Sequence, residues 1–420
     1  MIAKVIRKNE FRRMATVLLK NKWREAWICW MLVGLLVGLL VSRALVSFTS
    51  VLMVLPFFFR DRQQPVQRNL LFAISLLLLP VLLSGLWSSD STSWWSSVAV
   101  RLPLLTMFLG LSSVTISQRN KTRLVYLYLL LICLGCTWSL SQYLADTTAM
   151  HEAYLRAKTL PTPSDDDHIR FSWMVVVAIL LGTHLVFTEQ KQQTRLGISA
   201  AIVFLVVYLH LLAAKTGLVG LYAGIGIYVL YTIFIRKQWR TALAIVATGM
   251  AMAAVCYLTL PTLRNRIQYV VYDLSNYAKG NIQPGYTDAS RLWSMKAGYQ
   301  LTLQHPLQGV GFGDMRSVVD QWHTVHHPES PDYERFLPAN EWLVYGTGSG
   351  IPGSICFTMG FLALLYFTTR RNILSVILSV TALLPFLFDD TLEGQTGVIV
   401  LAFIAFFGQQ KLAETPVTHE

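Results

Sequence analysis

Apolar residues along this chain fall into about twelve blocks, at roughly 26–42, 44–59, 70–87, 97–116, 124–143, 171–188, 196–213, 216–235, 241–258, 343–368, 373–388 and 396–409. A helix of ~20 apolar residues crosses the ~30 Å hydrocarbon core of a bilayer. The pattern therefore predicts an all-α, polytopic membrane protein with about twelve transmembrane helices. One polar interval, 259–342, is far longer than the rest. It divides the chain into an N-terminal transmembrane region (1–258, about nine helices), a loop domain (259–342) and a C-terminal transmembrane region (343–420, about three helices). Aromatic residues and an amphipathic stretch at 290–304 (SRLWSMKAGYQLTLQ) argue that this loop is ordered. No internal repeat and no low-complexity tract is evident.

The charges orient the blocks. With the N-terminus in the cytoplasm, the inner loops hold Arg60, Arg62 and Arg68; Arg119, Lys121 and Arg123; Lys191 and Arg195; Arg236, Lys237 and Arg240; Arg370 and Arg371; and the tail holds Lys411. Every short inner loop is then basic, as the positive-inside rule requires, and both termini lie inside. The first block follows Lys4, Arg7, Lys8, Arg12, Arg13, Lys20, Lys22 and Arg24 with no convincing cleavage site, which predicts a retained signal-anchor. The outer segments are of another kind: SSDSTSWWS at 88–96, PTPSDDDHIR at 161–170, and the long loop, which is predicted to face the periplasm.

Composition supports this and narrows it. Of 420 residues 54% are hydrophobic and only 14% charged, too few charges for a water-soluble fold of this size. The net charge of +12 is explained by the inner loops, so no nucleic-acid partner is predicted; membrane lipids are. Cys29, Cys133, Cys136, Cys256 and Cys356 all lie in apolar blocks and read as apolar fillers without disulfides.

Ionisable residues at membrane depth are costly and mark function by default. Arg101, Arg170, Lys215 and the Asp389–Asp390 pair all fall near the predicted outer surface. Basic residues converging at one depth suggest an anionic ligand at the outer headgroup level. The alternative is that they form structural ion pairs with Asp389, Asp390, Glu393 and Asp90. His184 and His210 lie within spans and read as packed, hydrogen-bonded residues. His323, His326 and His327 form HTVHH, but no compact carboxylate or cysteine set accompanies them, so no metal site is predicted. Trp293, Trp342 and Tyr345 suit either sugar stacking or anchoring.

These residues lie within motifs. HIRFS stands at 168–172, a basic residue in AAKTGLVGLYAG, SRLWSMKAGYQLTLQHPLQGVGFGDM at 290–315, PANEWLVYGTGSGIPG at 338–353 and DDTLEGQTGV at 389–398. Together they resemble the O-antigen ligase and O-antigen polymerase superfamily of membrane glycosyltransferases, and most closely its ligase-like branch of Bacteroidetes type. The resemblance extends over 85–415 and is most specific over 290–353.

The resemblance implies an enzyme of the bacterial inner membrane with its site facing the periplasm. It implies transfer of a glycan from undecaprenyl pyrophosphate to a hydroxyl of lipid A core, another glycan or a protein, with inversion and without metal or cofactor. Arg170, Lys215 and Arg291 match the family's basic positions and would bind pyrophosphate, with Arg101, His326, His327, Asp389 and Asp390 in support. Asn340 and Glu341 follow the position of the family's expected histidine base. Here that position is Ala339, which cannot accept a proton. It reads as an inactivating His→Ala substitution, or as a natural variant using His326, His327 or Glu341. The hairpin residue, usually Arg, is Lys215, which neutralises phosphate without bidentate geometry. Rival readings are a polymerase or protein O-oligosaccharyltransferase of the same superfamily, and a transporter or flippase of lipid-linked sugars. A transporter would show inverted repeats and broken helices, and the sequence suggests neither.

Overall fold

The structure is a computed structural model that describes residues 2–60, 67–155, 158–163, 167–279, 287–328, 330–369 and 372–407. Arg62, Arg370, Arg371 and Lys411, used above to orient the chain, lie outside the described residues, and the side chains of residues 2–20 are not described. Among the described residues there is no strand.

The chain begins with α1 (Ile2–Val41), turns at Ser42 into α2 (Arg43–Leu52) and a single turn α3 (Leu55–Phe58), and continues with α4 (Arg68–Ser84), α5 (Ser91–Ser112) and α6 (Gln118–Ala145). After a short α7 (Thr147–Leu155) come α8 (His168–Thr188), α9 (Gln192–Leu212), α10 (Lys215–Phe234) and α11 (Trp239–Thr259). The long loop folds as α12 (Pro261–Ala278), α13 (Thr287–Gln304) and α14 (Met315–His326). The chain re-enters the bundle through α15 (Glu341–Thr369), α16 (Ile373–Phe388) and α17 (Gln395–Ala402).

Among the described residues, eight helical segments are long and apolar enough to cross a membrane: Asn21–Val41 of α1, then α5, α6, α8, α9, α10, α11 and Glu341–Thr368 of α15. The other four predicted blocks coincide with shorter apolar helices, at Arg43–Phe58, Arg68–Ser84, Ile373–Phe388 and Gln395–Ala405. By helix length, eight of the twelve predicted blocks qualify as candidate spans and four fall short. Local chemistry explains the short ones: a turn separates α2 from the Pro56-bearing α3, and α17 passes into a π-helical turn at Phe403–Phe407.

Close packing draws the bundle together. Gly34 and Gly38, four apart on α1, face α2 so tightly that a Cβ would meet Thr49 and Val46, the small-residue contact expected between helices in lipid. All five cysteines are free. His210 is packed as predicted, bonded to Val206 O at 2.8 Å and to the Tyr222 hydroxyl at 2.7 Å.

One feature contradicts the sequence reading: α15 is a broken helix. Ser349 leaves helical geometry, and Gly350 takes φ 69°, a conformation that costs glycine little and other residues more. Residues 306–311, from the HPLQGVGFG motif, fill the break. Val310 N donates to Thr347 O at 2.8 Å, Gly311 N to Gly348 O at 3.1 Å, and Ile351 N to Pro306 O at 2.8 Å. The interrupted backbone is therefore satisfied by another segment of protein, as unbonded helix ends in a bilayer must be. The break was illegible because the glycines that permit it have equally ordinary uses in turns and helix packing.

Candidate functional site

Four regions meet around the loop between α16 and α17. Asp167 starts α8: its Oδ1 accepts Arg170 N at 3.0 Å, and its Oδ2 accepts Arg170 Nη1 at 2.5 Å. A single capping carboxylate so fixes both the helix start and the guanidinium. Arg170 Nη2 then reaches Asp390 O at 2.9 Å, Asp390 Oδ1 at 3.4 Å and Asp389 Oδ2 at 3.6 Å. Gly394 makes room for it, since a Cβ there would sit 2.8 Å from Arg170 Cζ.

Arg291 arrives from α13. Its Nη1 donates to Asp389 Oδ1 at 3.0 Å and to Phe388 O at 3.2 Å. Its guanidinium lies 5.4 Å from the centre of the Phe336 ring. Asp389, only 8% exposed, thus joins the two arginines that sequence reasoning singled out.

Lys215 is the first residue of α10. The tight turn before it uses Ala213 in the left-handed region, φ 49°, a costly conformation for a non-glycine residue. Lys215 Nζ pairs with Asp288, the residue three before Arg291 on α13. It is in electrostatic reach of Arg266 and Arg291. Asp273 of α12 accepts Asp288 N at 3.0 Å, which ties α12 to the start of α13. Burial raises the pKa of Asp273. Burial, and then the neighbouring Asp389 carboxylate, raise that of Asp390, while Arg170 opposes them.

Arg170, Lys215 and Arg291 therefore belong to one neighbourhood, but it is not a bare cationic patch. Each has a carboxylate partner, as the ion-pair alternative required, although Asp167 and Asp288 were not foreseen as partners. Asp90 plays no part in this set; it caps α5 by accepting from Thr92 N and Ser93 N at 2.9 and 3.0 Å. An anion entering here has to exchange with carboxylates, and a carboxylate with a raised pKa yields its charge most readily.

Arg101 is more deeply placed. It is fully buried, paired with Glu393, bonded to Ser97 O at 3.0 Å and packed over the rings of Phe312 and Tyr345. That environment makes it a structural member of the α5–α17 junction rather than an open ligand-binding group.

The motif at 338–341 lies alongside. Ala339 is 3% exposed, with its N–H bonded to Ser294 Oγ at 3.1 Å. Asn340 caps α15 through Leu343 N at 3.2 Å and donates to Leu387 O at 3.1 Å, tying the start of α15 to the end of α16. Glu341 is buried and accepts Leu392 N at 3.0 Å, while its Oε1 has no hydrogen-bond partner among the described residues. Asn340 and Glu341 therefore position the 387–392 segment that carries Asp389 and Asp390.

Other expectations resolve differently. His326 stacks on Trp322 at 4.4 Å with Nδ1 bonded to Trp322 O at 2.9 Å, and His327 stacks on Trp293 at 3.7 Å. His323 is buried beside them, and burial pushes its imidazole down to about 4. All three histidines serve an aromatic layer between α13 and α14. Among the described residues no group of three His, Cys, Asp or Glu side chains is arranged to hold a metal. The aromatic residues considered for sugar stacking are committed to the interior: Trp293 to His327, Trp342 to Thr358 and Phe357, and Tyr345 to Leu77 O at 2.7 Å.

Three residues of the site were missed: His168, Arg266 and Asp288. His168 is partly exposed and interacts electrostatically with Arg266, Arg291, Asp167 and Asp389. It stood inside the quoted HIRFS motif, and Asp288 stands one helical turn before Arg291; both signals were available. Arg266 is one basic residue among several in its stretch, and nothing local distinguishes it.

Comparison with known proteins adds one finding. Residues 199–358 match the family model for O-Antigen ligase. The match covers less than half of the chain; it contains Lys215, Arg266, Arg291 and the 338–341 motif, but neither Arg170 nor the Asp389–Asp390 pair. No curated protein matches the chain.

Proposed function

We propose that this chain, an O-antigen ligase-like membrane protein by its 199–358 segment, transfers a glycan from undecaprenyl pyrophosphate to an acceptor hydroxyl at the periplasmic face of the bacterial inner membrane. The carrying observation is the meeting of Arg170 and Arg291 on Asp389, with Lys215 paired to Asp288 one helical turn before Arg291. A pyrophosphate is multiply charged, arginine offers two parallel donors to its oxygens, and its charge rises as it leaves. In the proposed step the acceptor oxygen forms a bond to the anomeric carbon. The bond from that carbon to the pyrophosphate oxygen breaks with its electron pair, which inverts the anomeric centre. The hydroxyl proton passes to a base. With alanine at 339, the proposed base is His168, which lies within electrostatic range of Arg291 and Asp389.

The proposed topology has twelve spans with both termini in the cytoplasm and the 259–342 domain outside. A cysteine probe at 325 is labelled in intact spheroplasts and one at 238 is not; labelling at 238 overturns the orientation. The activity test is a purified system with lipid-linked donor and defined acceptors. A transferase releases undecaprenyl pyrophosphate and yields glycosylated acceptor, and the acceptor consumed separates ligase, polymerase and protein transferase. Movement of intact donor across the bilayer without cleavage supports the transporter reading, to which the break in α15 lends an observation. Excess chelator leaves transfer unchanged; loss with recovery on adding a divalent ion refutes the metal-independent step.

A further inference from the structure

We propose that α12 is an interfacial helix: it lies along the membrane surface, with one apolar stripe among the acyl chains of the phospholipid leaflet next to the end of α11. The inference rests on α11 being a span and is independent of the transferase reading.

Three stripes divide α12. The first faces protein. Thr262, Leu263, Arg266, Tyr269 and Asp273 are buried, fixed by Thr262 Oγ1 to Leu211 O at 2.8 Å and by Asp273 to the start of α13. The second is apolar and uncovered. Ile267, Val271 and Leu274 are 45%, 64% and 45% exposed, and their spacing of i, i+4 and i+7 puts them on one face. The third, beside it, is polar: Arg264, Gln268 and Ser275, at i, i+4 and i+11, share one face. Apolar, polar and protein-facing stripes in one helix are what a helix at a bilayer surface against a protein requires, with acyl chains below and headgroups beside.

The junction with α11 supplies the second argument. Only Leu260 separates the two helices, and Pro261 opens α12. α11 is the candidate span with the smallest buried share, 11%. Its last turns expose Val255 at 55% and Leu258 at 74%. A lipid-facing surface therefore runs to within a few residues of the exposed stripe. α12 itself carries Arg264, Arg266 and Asp273, with Lys279 just past its end, and is not a candidate span, so lying in the interface is the arrangement that covers its apolar face. Arg266 and Asp273 sit on the opposite side, so seating α12 in lipid sets the depth of the cation cluster near the headgroups.

Spin labelling tests this in the full-length chain freed of its five cysteines and placed in phosphatidylethanolamine–phosphatidylglycerol liposomes. Labels at Ile267→Cys, Val271→Cys and Leu274→Cys should show an oxygen-to-nickel-chelate accessibility ratio at least about fivefold above labels at Arg264→Cys, Gln268→Cys and Ser275→Cys. Equal ratios on the two stripes overturn the proposal. So does dipolar coupling between Val271 labels on two molecules, which assigns the stripe to a second copy. If the cysteine-free chain does not fold, a photocrosslinking amino acid at position 271 of the native chain takes its place. Phospholipid adducts at 271 and not at 268 are expected, and their absence at 271 refutes the assignment.

Discussion

Replacement of Arg291 by alanine separates a structural arginine from one that holds the leaving group, because the two roles differ in magnitude. Arg291 is 28% exposed, and its pair with Asp389 at 3.0 Å is correspondingly screened; such pairs contribute ~0–1 kcal/mol. Its contact with Phe336 at 5.4 Å adds ~0.5–1 kcal/mol. A purely structural role therefore predicts a stability loss of about 1–2 kcal/mol and unchanged turnover per folded molecule. Losing a donor aimed at developing charge costs ~3–4 kcal/mol of transition-state stabilisation, or about 10²–10³-fold in rate. The expected outcome is a fall in transfer of 10²-fold or more (~3 kcal/mol) with only a small change in thermal unfolding. Arg291→Lys keeps the charge but not the paired donors, and is expected to lose about tenfold. The assay is transfer from lipid-linked donor in nanodiscs, run in the native chain and in an Ala339→His background, with unfolding followed in parallel. Turnover within about threefold of the parent for Arg291→Ala would falsify the assignment.

Three other outcomes are expected. Ala339→His places an imidazole beside Asn340 and raises turnover by about 100-fold or more while leaving donor affinity nearly unchanged; equal turnover shifts the base role to His168, whose alanine variant should then lose about 10²-fold. Glu393→Gln leaves the fully buried Arg101 without its counter-charge and costs about 3–5 kcal/mol of stability, much of it recovered in Arg101→Met/Glu393→Leu; a double variant no more stable than the single refutes the pairing argument. Asp273 has a raised pKa in the fold, so the folded state holds its proton where the unfolded chain has lost it. Its contribution is present below the ordinary carboxylate pKa of 3.8 and is lost as pH rises through the raised value, so Asp273→Asn should flatten the fall in Tm as pH rises above about 4. Parallel curves for the two proteins would show that Asp273 does not titrate in that window.

Of the candidate site, Arg170, Lys215 and the 389–390 carboxylates were conspicuous as ionisable residues at the edges of apolar blocks, whereas Arg291 was singled out only by its motif. Which carboxylate meets which cation was not legible: Asp389, Asp390 and Glu393 stood only as an ion-pair alternative, and Asp167 and Asp288 were not foreseen. Arg170 meets Asp390 across 220 positions and Arg101 meets Glu393 across 292, and nothing in local composition encodes such distances. The same limit left Trp293, Trp342 and Tyr345 open between stacking on sugar and anchoring: the sequence shows that they are aromatic, but only packing shows what their rings touch. His168 was visible within its motif and overlooked beside the more conspicuous HTVHH, whose rings turn out to stack on tryptophans.

What the sequence by itself determined is the class of solvent and the class of element. Runs of apolar residues near bilayer length admit few structures except helices, because every backbone group must be bonded within its own segment. Basic residues in the short loops then predict a direction for each helix. Tertiary structure decided what happens where that self-sufficiency ends. At Ser349–Gly350 the backbone of α15 is completed by a loop some forty residues earlier in the chain. Around Asp389, helix starts and helix ends from distant parts of the sequence bring their charges together. Helix formation follows from hydrogen bonds between residues four apart, whereas a charge cluster depends on which helix ends become neighbours, and that is settled only when the helices pack.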